Sequence, residues 1–248
     1  MCDNPVSSPL GGPMSRRTLL TISSAAVAVG LVGGSLDGRL AYAAALTRAQ
    51  RDKMTPDEII AEMKRGNERF RRGEKTTQNF LAQQRASAKE QHPAAVLLSC
   101  IDSRAPAEMI LNLGIGDIFN ARVAGNIANE DILGSMEFAC KAAGAKVVLV
   151  MGHTACGAIK GAIDNVELGN LTGLLAKIRP AVQETTFAGE RSTKNLAYVD
   201  AVARKNVELT LADIRKRSAV LRDLESQRAV KVVGAMYNLE TAVVEFFG

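Results

Sequence analysis

The segment Lys146-Val-Val-Leu-Val-Met-Gly-His-Thr-Ala-Cys-Gly157 joins a buried strand to two candidate metal ligands and to the start of a helix. Residues 146–151 are nearly all apolar, which is typical of a strand covered on both faces of a sheet. His153 and Cys156 follow just beyond this strand, and a helix is expected over 157–164. A buried strand that leads directly into a helix predicts an α/β fold.

The rest of the chain continues this alternation of strands and helices. The remaining strands are expected over residues 95–99, 117–123, 230–236 and 241–247, the last as a hairpin partner or edge strand. The remaining helices are expected over residues 55–73, 78–90, 132–143, 171–179 (stopped by Pro180) and 201–218. This order predicts a mostly parallel central β-sheet flanked by helices and preceded by an N-terminal helical arm.

The first 43 residues resemble an export signal. Arg16 and Arg17 precede an uncharged apolar stretch over 18–33, and Ala41-Tyr42-Ala43 has small residues where cleavage is specified. This twin-arginine pattern predicts cleavage after Ala43, a periplasmic or otherwise exported protein, and only transient contact with a membrane. An uncleaved anchor is the alternative, although the apolar run is short for a spanning helix.

Three regions are therefore expected along the chain. They are a signal peptide over 1–43, with Met14 as an alternative start, a helical arm over 44–90, and an α/β domain over 91–248 that carries the candidate metal ligands. The net charge of +5 and the absence of tryptophan, zinc-finger spacings and RNA-binding aromatic runs argue against a nucleic-acid partner. Four cysteines in 248 residues are too few for a disulfide scaffold.

Cys100, His153 and Cys156 form a candidate zinc site. Cys100 directly follows the strand at 95–99, so it and His153 lie at carboxyl ends of parallel strands, where open α/β sheets place their sites. Cys156 begins a helix, whose N-terminus stabilises a thiolate. Two thiolates and one imidazole leave a tetrahedral zinc one free position, which is typical of a catalytic site because water bound there is acidified.

Other features refine this interpretation. A lone cysteine is more often a packing residue than a ligand, and Cys140 on its Ala-rich helix is interpreted in that way. Gly152 and Gly157 flank the His153–Cys156 pair and are expected to allow a tight turn between strand and helix.

Asp102 and Arg104 follow Cys100 on the loop that leaves the strand. An arginine beside a carboxylate lowers the pKa of the carboxyl group and keeps it ionised. Such an acceptor, placed beside the free position of a zinc ion, takes a hydrogen bond from hydroxide bound there. The pair therefore favours a hydration or hydrolysis reaction over a purely structural metal site.

Three segments in this order, Cys100–Arg104, Arg122-Val-Ala-Gly-Asn126 and His153–Gly157, resemble the β-class carbonic anhydrases. The resemblance covers roughly residues 55–248. It implies one zinc ion per chain, bound by Cys100, His153 and Cys156, with Asp102 and Arg104 as the catalytic dyad. It also implies reversible hydration of carbon dioxide to bicarbonate and a proton by a zinc-bound hydroxide.

The same resemblance implies a homodimer or tetramer, in which the N-terminal helices embrace the partner and the active sites lie at the dimer interface. It further favours an open site, in which water rather than Asp102 is the fourth zinc ligand. Gln91 matches the glutamine of this type, nine residues before Cys100, and Phe119 and Phe138 match its pocket aromatics. The other type has a tryptophan at the position of Leu97.

Gln91 and the backbone N–H near Gly157 are expected to donate hydrogen bonds to a substrate oxygen. Phe119 and Phe138 are expected to keep the pocket apolar, with plain core packing as the alternative for each. Ala124 stands where a valine often lines the pocket, which makes the cavity slightly larger.

Three other functions remain open from the sequence. Carbonyl sulfide or carbon disulfide hydrolysis would use the same scaffold, whereas a non-catalytic zinc-binding protein would need a degenerate site. A thiol redox protein is disfavoured because Cys100 and Cys156 do not form a Cys-x-x-Cys motif. His92 is either a proton shuttle or an ordinary loop histidine.

Overall fold

The computed structural model describes residues 45–74 and 78–248. The expected signal peptide over 1–43, with its cleavage site, lies outside these residues. No helix in the described ranges is long and apolar enough to cross a membrane.

A single sheet forms the centre of the described part of the chain. Its strands, in chain order, are β1 (Ala95–Ser99), β2 (Ile118–Arg122), β3 (Val147–His153), β4 (Lys231–Tyr237) and β5 (Val244–Phe247), arranged as β2-β1-β3-β4-β5. The pairs within β2-β1-β3-β4 are parallel, whereas β5 pairs antiparallel with β4. The predicted, mostly parallel sheet is therefore confirmed, with the last strand as its antiparallel edge.

Strand β3 is buried along its whole length, as the apolar run 146–151 predicts. Val148 and Val150 belong to the hydrophobic core on one face of the sheet, while Leu149 and Met151 belong to the core on the other. Because successive side chains of a strand point to opposite faces, a strand covered on both sides needs apolar residues at nearly every position.

Helices cover both faces of this sheet. In chain order the described helices are α1 (Arg48–Lys53), α2 (Pro56–Arg71), α3 (Phe80–Ser87), α4 (Ala107–Ile110), α5 (Glu130–Glu137), α6 (Gly157–Ile163), α7 (Gly169–Ala176), α8 (Arg179–Glu184), α9 (Leu196–Arg217) and α10 (Ala219–Ser226). A 3₁₀ turn over Ala124–Asn126 follows β2, and a π turn over Phe138–Ala142 extends α5.

Two expected helices have different bounds in the structure. The helix expected over 171–179 is in fact two helices, α7 and α8, because Pro180 lies in the first turn of α8 and starts it instead of stopping its predecessor. Helix α9 starts at Leu196 rather than at 201, since the Asn195 side chain accepts a hydrogen bond from the Tyr198 N–H and caps the helix.

The first helices of the arm pack on their own domain. Arg51 of α1 donates a hydrogen bond to the Ala143 carbonyl at 2.5 Å, and Lys146 donates to the carbonyls of Asp52 and Met54. Ile59 and Met63 of α2 belong to the core on one face of the sheet. Helix α2 is therefore part of the domain, and the expected embrace of a partner subunit stays a prediction.

Candidate metal centre

Three elements bring Cys100, His153 and Cys156 together. Cys100 directly follows β1, His153 is the last residue of β3, and Cys156 is the N-cap of α6. All three side chains are buried, and their ligand atoms lie within 4.8 Å of one another. The predicted convergence at the carboxyl ends of neighbouring parallel strands is thus confirmed.

The geometry of the cluster fits a zinc ion. The sulfur atoms of Cys100 and Cys156 are 3.9 Å apart, and tetrahedral zinc with Zn–S bonds of about 2.3 Å places two sulfurs about 3.8 Å apart. The Nδ1 of His153 lies 2.9 Å from the Thr154 carbonyl, so it carries the proton and donates it there. His153 Nε2 is buried and has no hydrogen-bond partner in the described chain, as expected of a ligand atom facing a metal.

The two thiols of the cluster share their ionisation. Hydrogen bonds from Cys156 and from the backbone N–H groups of Gly125 and Asp102 lower the pKa of Cys100 to about 4. The resulting negative charge, together with burial, raises the pKa of Cys156. One thiolate therefore forms readily, and a bound cation is needed to stabilise the second.

His153 responds to the same charge. Burial opposes protonation of its imidazole, but the proximity and negative charge of the Cys100 thiolate outweigh burial and raise the pKa of His153. The cluster thus attracts positive charge, which is what a divalent cation would provide.

Asp102 is held beside the cluster by Arg104. The Arg104 Nε and Nη2 atoms donate to the two Asp102 carboxylate oxygens at 3.0 and 2.7 Å, and the Arg104 backbone N–H donates at 2.9 Å. The hydrogen bonds from Arg104 lower the pKa of Asp102 to about 2 against the opposing effect of burial. Asp102 Oδ2 lies 3.8 Å from His153 Nε2, so an ionised acceptor faces the metal position.

The turn between β3 and α6 differs from the expected one. Ala155 occupies the left-handed region with φ of 52°, while neither Gly152 nor Gly157 has a positive φ. Gly152 is required for a different reason, since an added Cβ there would lie 2.8 Å from Val207 Cγ2 on α9. Gly152 therefore permits close packing against α9, and Gly157 leaves its backbone uncovered by a side chain. The strained backbone conformation belongs to Ala155.

A cavity of about 240 Å³ opens beside the cluster. Asp102, Ala124 and Gly157 line it, and Leu171 and Leu175 of α7 form an apolar wall. Gly157 is exposed, and no atom lies within 4 Å of an added Cβ at this position. The expected pocket positions of Ala124 and Gly157 thus agree with the structure.

Within one chain, Gln91, Phe119 and Phe138 do not reach this cavity. Gln91 is exposed and precedes the amino end of β1, whereas Cys100 follows its carboxyl end. The five residues of the strand place these ends about 17 Å apart. Phe119 contacts Phe138 edge-on, with ring centroids 6.1 Å apart, and both line a separate cavity of about 800 Å³.

Two further residues have no part in the cluster: His92 lies away from it, and Cys140 has a thiol that stays protonated. His92 lies before the amino end of β1, where its Nε2 is 3.2 Å from Glu90, so it is not a proton shuttle for the cluster of its own chain. Cys140 is buried, and burial raises the pKa of its thiol to about 12. Its expected role as a small packing residue agrees with this environment.

Three residues that sequence reasoning left without a role support the site. Arg122 donates to the carbonyls of Cys100 and Asp102 at 2.9 and 2.6 Å, and so holds the loop between them. Asp200 and Asn206 of α9 contact the backbone of the two other loops at the site. No local pattern marks these two side chains, because only the packing of α9 brings them to the cluster.

Together, the fold and the donor set define an α/β protein with a mostly parallel sheet, a thiolate-rich candidate metal site and an adjacent ionised carboxylate. The carbonic anhydrase family model matches residues 95–244. Carbonic anhydrase 2 of Mycobacterium tuberculosis is 32% identical over 180 residues, which cover 72% of this chain and 86% of that protein. The carbonic anhydrase of Mycolicibacterium smegmatis is 31% identical over 74% of this chain and 89% of its own.

Solved structures show the same fold. A β-carbonic anhydrase of Aspergillus fumigatus superposes with a TM-score of 0.57 at 27% identity, covering 65% of this chain and 78% of that one. A β-carbonic anhydrase from Sordaria macrospora, described as tetrameric, has a TM-score of 0.59 at 24% identity, covering 65% and 83%. The chain belongs to the β-carbonic anhydrase family.

Proposed function

We propose that the protein catalyses the reversible hydration of carbon dioxide to bicarbonate and a proton, with one zinc ion held by Cys100, His153 and Cys156. The observation that carries this proposal is the Asp102–Arg104 pair, an ionised acceptor fixed beside a three-ligand cluster. A cluster with three protein ligands leaves one position for chemistry. Membership in the carbonic anhydrase family supports the same activity.

Zinc would supply Lewis acidity and lower the pKa of a water molecule in the site. The residues of the chain supply the remaining requirements. Asp102 accepts a hydrogen bond from the attacking oxygen and orients its lone pair, while Arg104 keeps both carboxylate oxygens ionised and in place. The N–H of Gly157, the first residue of α6, would donate to a substrate oxygen, and Leu171 and Leu175 offer apolar surface to a nonpolar gas.

The open form of the site follows from the same contacts. Both oxygens of Asp102 are engaged by Arg104, and Asp102 is not a member of the three-residue ligand group. Asp102 would have to leave Arg104 to become a fourth ligand. We therefore assign the fourth position to water and not to Asp102.

Stopped-flow hydration of carbon dioxide by the purified protein tests the activity, beside Asp102→Asn at equal zinc content. The variant should lose about 10²-fold or more in rate while keeping its metal, because the amide is a weaker acceptor and can present an N–H donor. Carbonyl sulfide and carbon disulfide are assayed in parallel. Turnover of either sulfur gas without carbon dioxide hydration would reject the proposed substrate.

The pocket residues that lie away from the cluster are assigned to the site of a partner subunit. Gln91, Phe119 and Phe138 are on or near the surface, and Phe138 is 56% exposed. Because β1 separates Gln91 from the cluster of its own chain, a homodimer or a tetramer built from such dimers would allow Gln91 to act in trans. The helical arm would then cover part of the same interface.

Mixed dimers with differently tagged chains test this assignment. A dimer of Cys100→Ser with Gln91→Ala would contain one intact site if Gln91 acts in trans, because one chain supplies the cluster and the other the glutamine. The matched control pairs wild-type chain with the double variant, which would contain no intact site. The reverse ranking of the two activities would place Gln91 in the site of its own chain.

Export is the remaining part of the proposal, and it rests on the sequence of the first 43 residues. Replacing Arg16 and Arg17 by lysine should retain the precursor inside the cell, since a twin-arginine signal requires both arginines. N-terminal sequencing of the exported wild-type protein should begin at Ala44. An unprocessed, membrane-bound chain would indicate an anchor instead.

A further inference from the structure

We propose that Asp200 and Asn206 of α9 are positioning residues for the metal ligands. Asp200 acts through the backbone of the loop that carries His153 and Cys156, and Asn206 acts through the backbone of the loop that contacts Cys100. The inference depends on the proposed function only for the identity of the metal. It concerns how long the cluster keeps its cation, which is measurable without any substrate.

Asp200 holds the loop between His153 and Cys156. Its Oδ1 accepts a hydrogen bond from the Ala155 N–H at 2.8 Å. Ala155 is in the left-handed region, with φ of 52°, which costs a residue with a Cβ about 1–2 kcal/mol relative to the right-handed region. Because both ligands flank this residue, a change in its backbone would move the imidazole or the thiolate, and the Asp200 bond opposes that change.

Asn206 holds the opposite side of the cluster. Its Nδ2 donates to the Gly125 carbonyl at 2.8 Å, and the Gly125 N–H in turn lies 3.4 Å from Cys100 Sγ. Asn206 is buried, and Gly125 has φ of 67° with Ile178 packed where a Cβ would lie. The contact with α9 therefore holds Gly125 on its carbonyl side, and this restrains the position from which the Gly125 N–H, in the preceding peptide group, donates to Cys100.

Helix α9 is a suitable support for both contacts. It is 22 residues long and buries Val199, Val202 and Val207 against the sheet. Asp200 and Asn206 therefore project from one rigid element onto two loops that are distant in sequence. Partners of this kind, one step removed from metal ligands, typically change metal affinity by 10–100-fold when they are removed.

The test measures release of zinc from purified, loaded protein to an excess of chelator, with no carbon dioxide present. Asp200→Ala should release zinc about tenfold faster than wild type. Asp200→Asn keeps an acceptor oxygen for the Ala155 N–H, so its release rate should stay within about threefold of wild type. Glu208→Ala removes an exposed carboxylate from the same helix and should leave the rate unchanged.

A second substitution separates positioning from general loss of stability. Glycine adopts the left-handed conformation at little cost, so adding Ala155→Gly to Asp200→Ala should recover part of the slow release. This double variant also keeps the test decisive if Asp200→Ala alone folds poorly. Asn206→Ala should accelerate release and shift the thiolate-to-metal absorption bands of the cobalt-substituted protein, because Cys100 would lose a fixed donor.

Wild-type release rates in Asp200→Ala and Asn206→Ala would overturn the inference. Equal acceleration by Asp200→Asn and Asp200→Ala would also overturn it for Asp200, since charge rather than the hydrogen bond would then be responsible. The expected pattern of release rates in a protein without carbon dioxide hydration would support the inference while rejecting the proposed function. If the wild-type protein hydrates carbon dioxide but the Asp200→Ala and Asn206→Ala variants release zinc at the wild-type rate, the proposed function is supported and the inference is rejected.

Discussion

Individual residues of one type behave differently in this protein because their neighbours differ. Cys100 and Cys140 are both buried, yet hydrogen-bond donors lower the pKa of Cys100 to about 4, and an apolar surrounding raises that of Cys140 to about 12. A cysteine surrounded by donors forms a thiolate and binds metal, while one surrounded by hydrocarbon packs as a small apolar residue.

Replacing Cys100 by serine should therefore abolish stable zinc binding. A hydroxyl is a poor ligand for zinc beside a thiolate and an imidazole, so the metal content should fall from near one ion per chain to near zero. Elemental analysis of the purified protein measures this directly. Cys140→Ala is the matched control and should keep its full zinc content.

The ionisation of Asp102 depends on one neighbour. Arg104→Ala removes the largest cause of the lowered pKa, so the pKa of Asp102 should rise from about 2 to its ordinary value near 3.8 or above. A carboxyl whose pKa is lowered by folding stabilises the folded state above its unfolded-state pKa, and this contribution is lost as the pH falls through the folded value. In wild type that loss falls between about pH 4 and pH 2.

Carboxyl carbon NMR between pH 2 and 6, on zinc-free protein, measures this titration. Arg204→Ala is the control, because Arg204 pairs with Glu208 and Glu245 and not with Asp102. An Asp102 pKa that stays near 2 in Arg104→Ala would show that another group holds the carboxylate.

Among the elements of the fold, α9 and β3 pack closely beside the site. An added Cβ at Gly152 of β3 would lie 2.8 Å from both Val207 of α9 and Met236 of β4. A side chain at Gly152 would displace the helix that carries Asp200 and Asn206. Packing between elements and positioning of the site are thus coupled at this residue.

Gly152→Ala should destabilise the protein by about 1–3 kcal/mol, because the added Cβ overpacks a close contact. Urea denaturation gives the change in unfolding free energy. Gly173→Ala in α7 is the control: its Cβ would meet open space, and alanine favours a helix over glycine by about 1 kcal/mol. Equal stabilities for Gly152→Ala and wild type would contradict the close approach of α9 to β3.

At the scale of the whole molecule, the candidate catalytic groups of one chain meet at the carboxyl ends of the parallel strands, and the other proposed pocket residues lie elsewhere on its surface. The cluster, Asp102 and Arg104 meet at the carboxyl ends of β1 and β3. Gln91 and Phe119 lie toward the other end of the strands. Under the proposal that these residues belong to the pocket, a second copy of the chain would have to supply them.

The rate of carbon dioxide hydration should climb through pH 7 to 9. Two thiolates neutralise the formal charge of a zinc ion, so water in this site should be less acidic than in a three-histidine zinc site, where its pKa is about 7. Stopped-flow measurements of kcat/KM across this range test the expectation. A flat profile from pH 6.5 to 9 would contradict it.

The fold class and the three candidate ligands follow from residue order alone. Apolar runs specify strands buried on both faces, and parallel strands carry the residues that follow them to one edge, so Cys100 and His153 were predictable as neighbours. Pro180 was misread, because proline both ends one helix and starts the next, and only the surrounding packing decides between these roles.

How the candidate ligands are held, and which other candidate residues lie apart from them, depends on the packing of distant segments. Asp200 and Asn206 reach the site because a helix distant in sequence packs across the sheet, and no spacing rule records such a contact. The strained residue of this loop is Ala155 and not a glycine, since the hydrogen bond that its N–H donates to Asp200 opposes a change in its conformation. Strands and the candidate ligands that follow them can be predicted from residue order, whereas contacts between residues distant in sequence depend on how whole helices and strands pack.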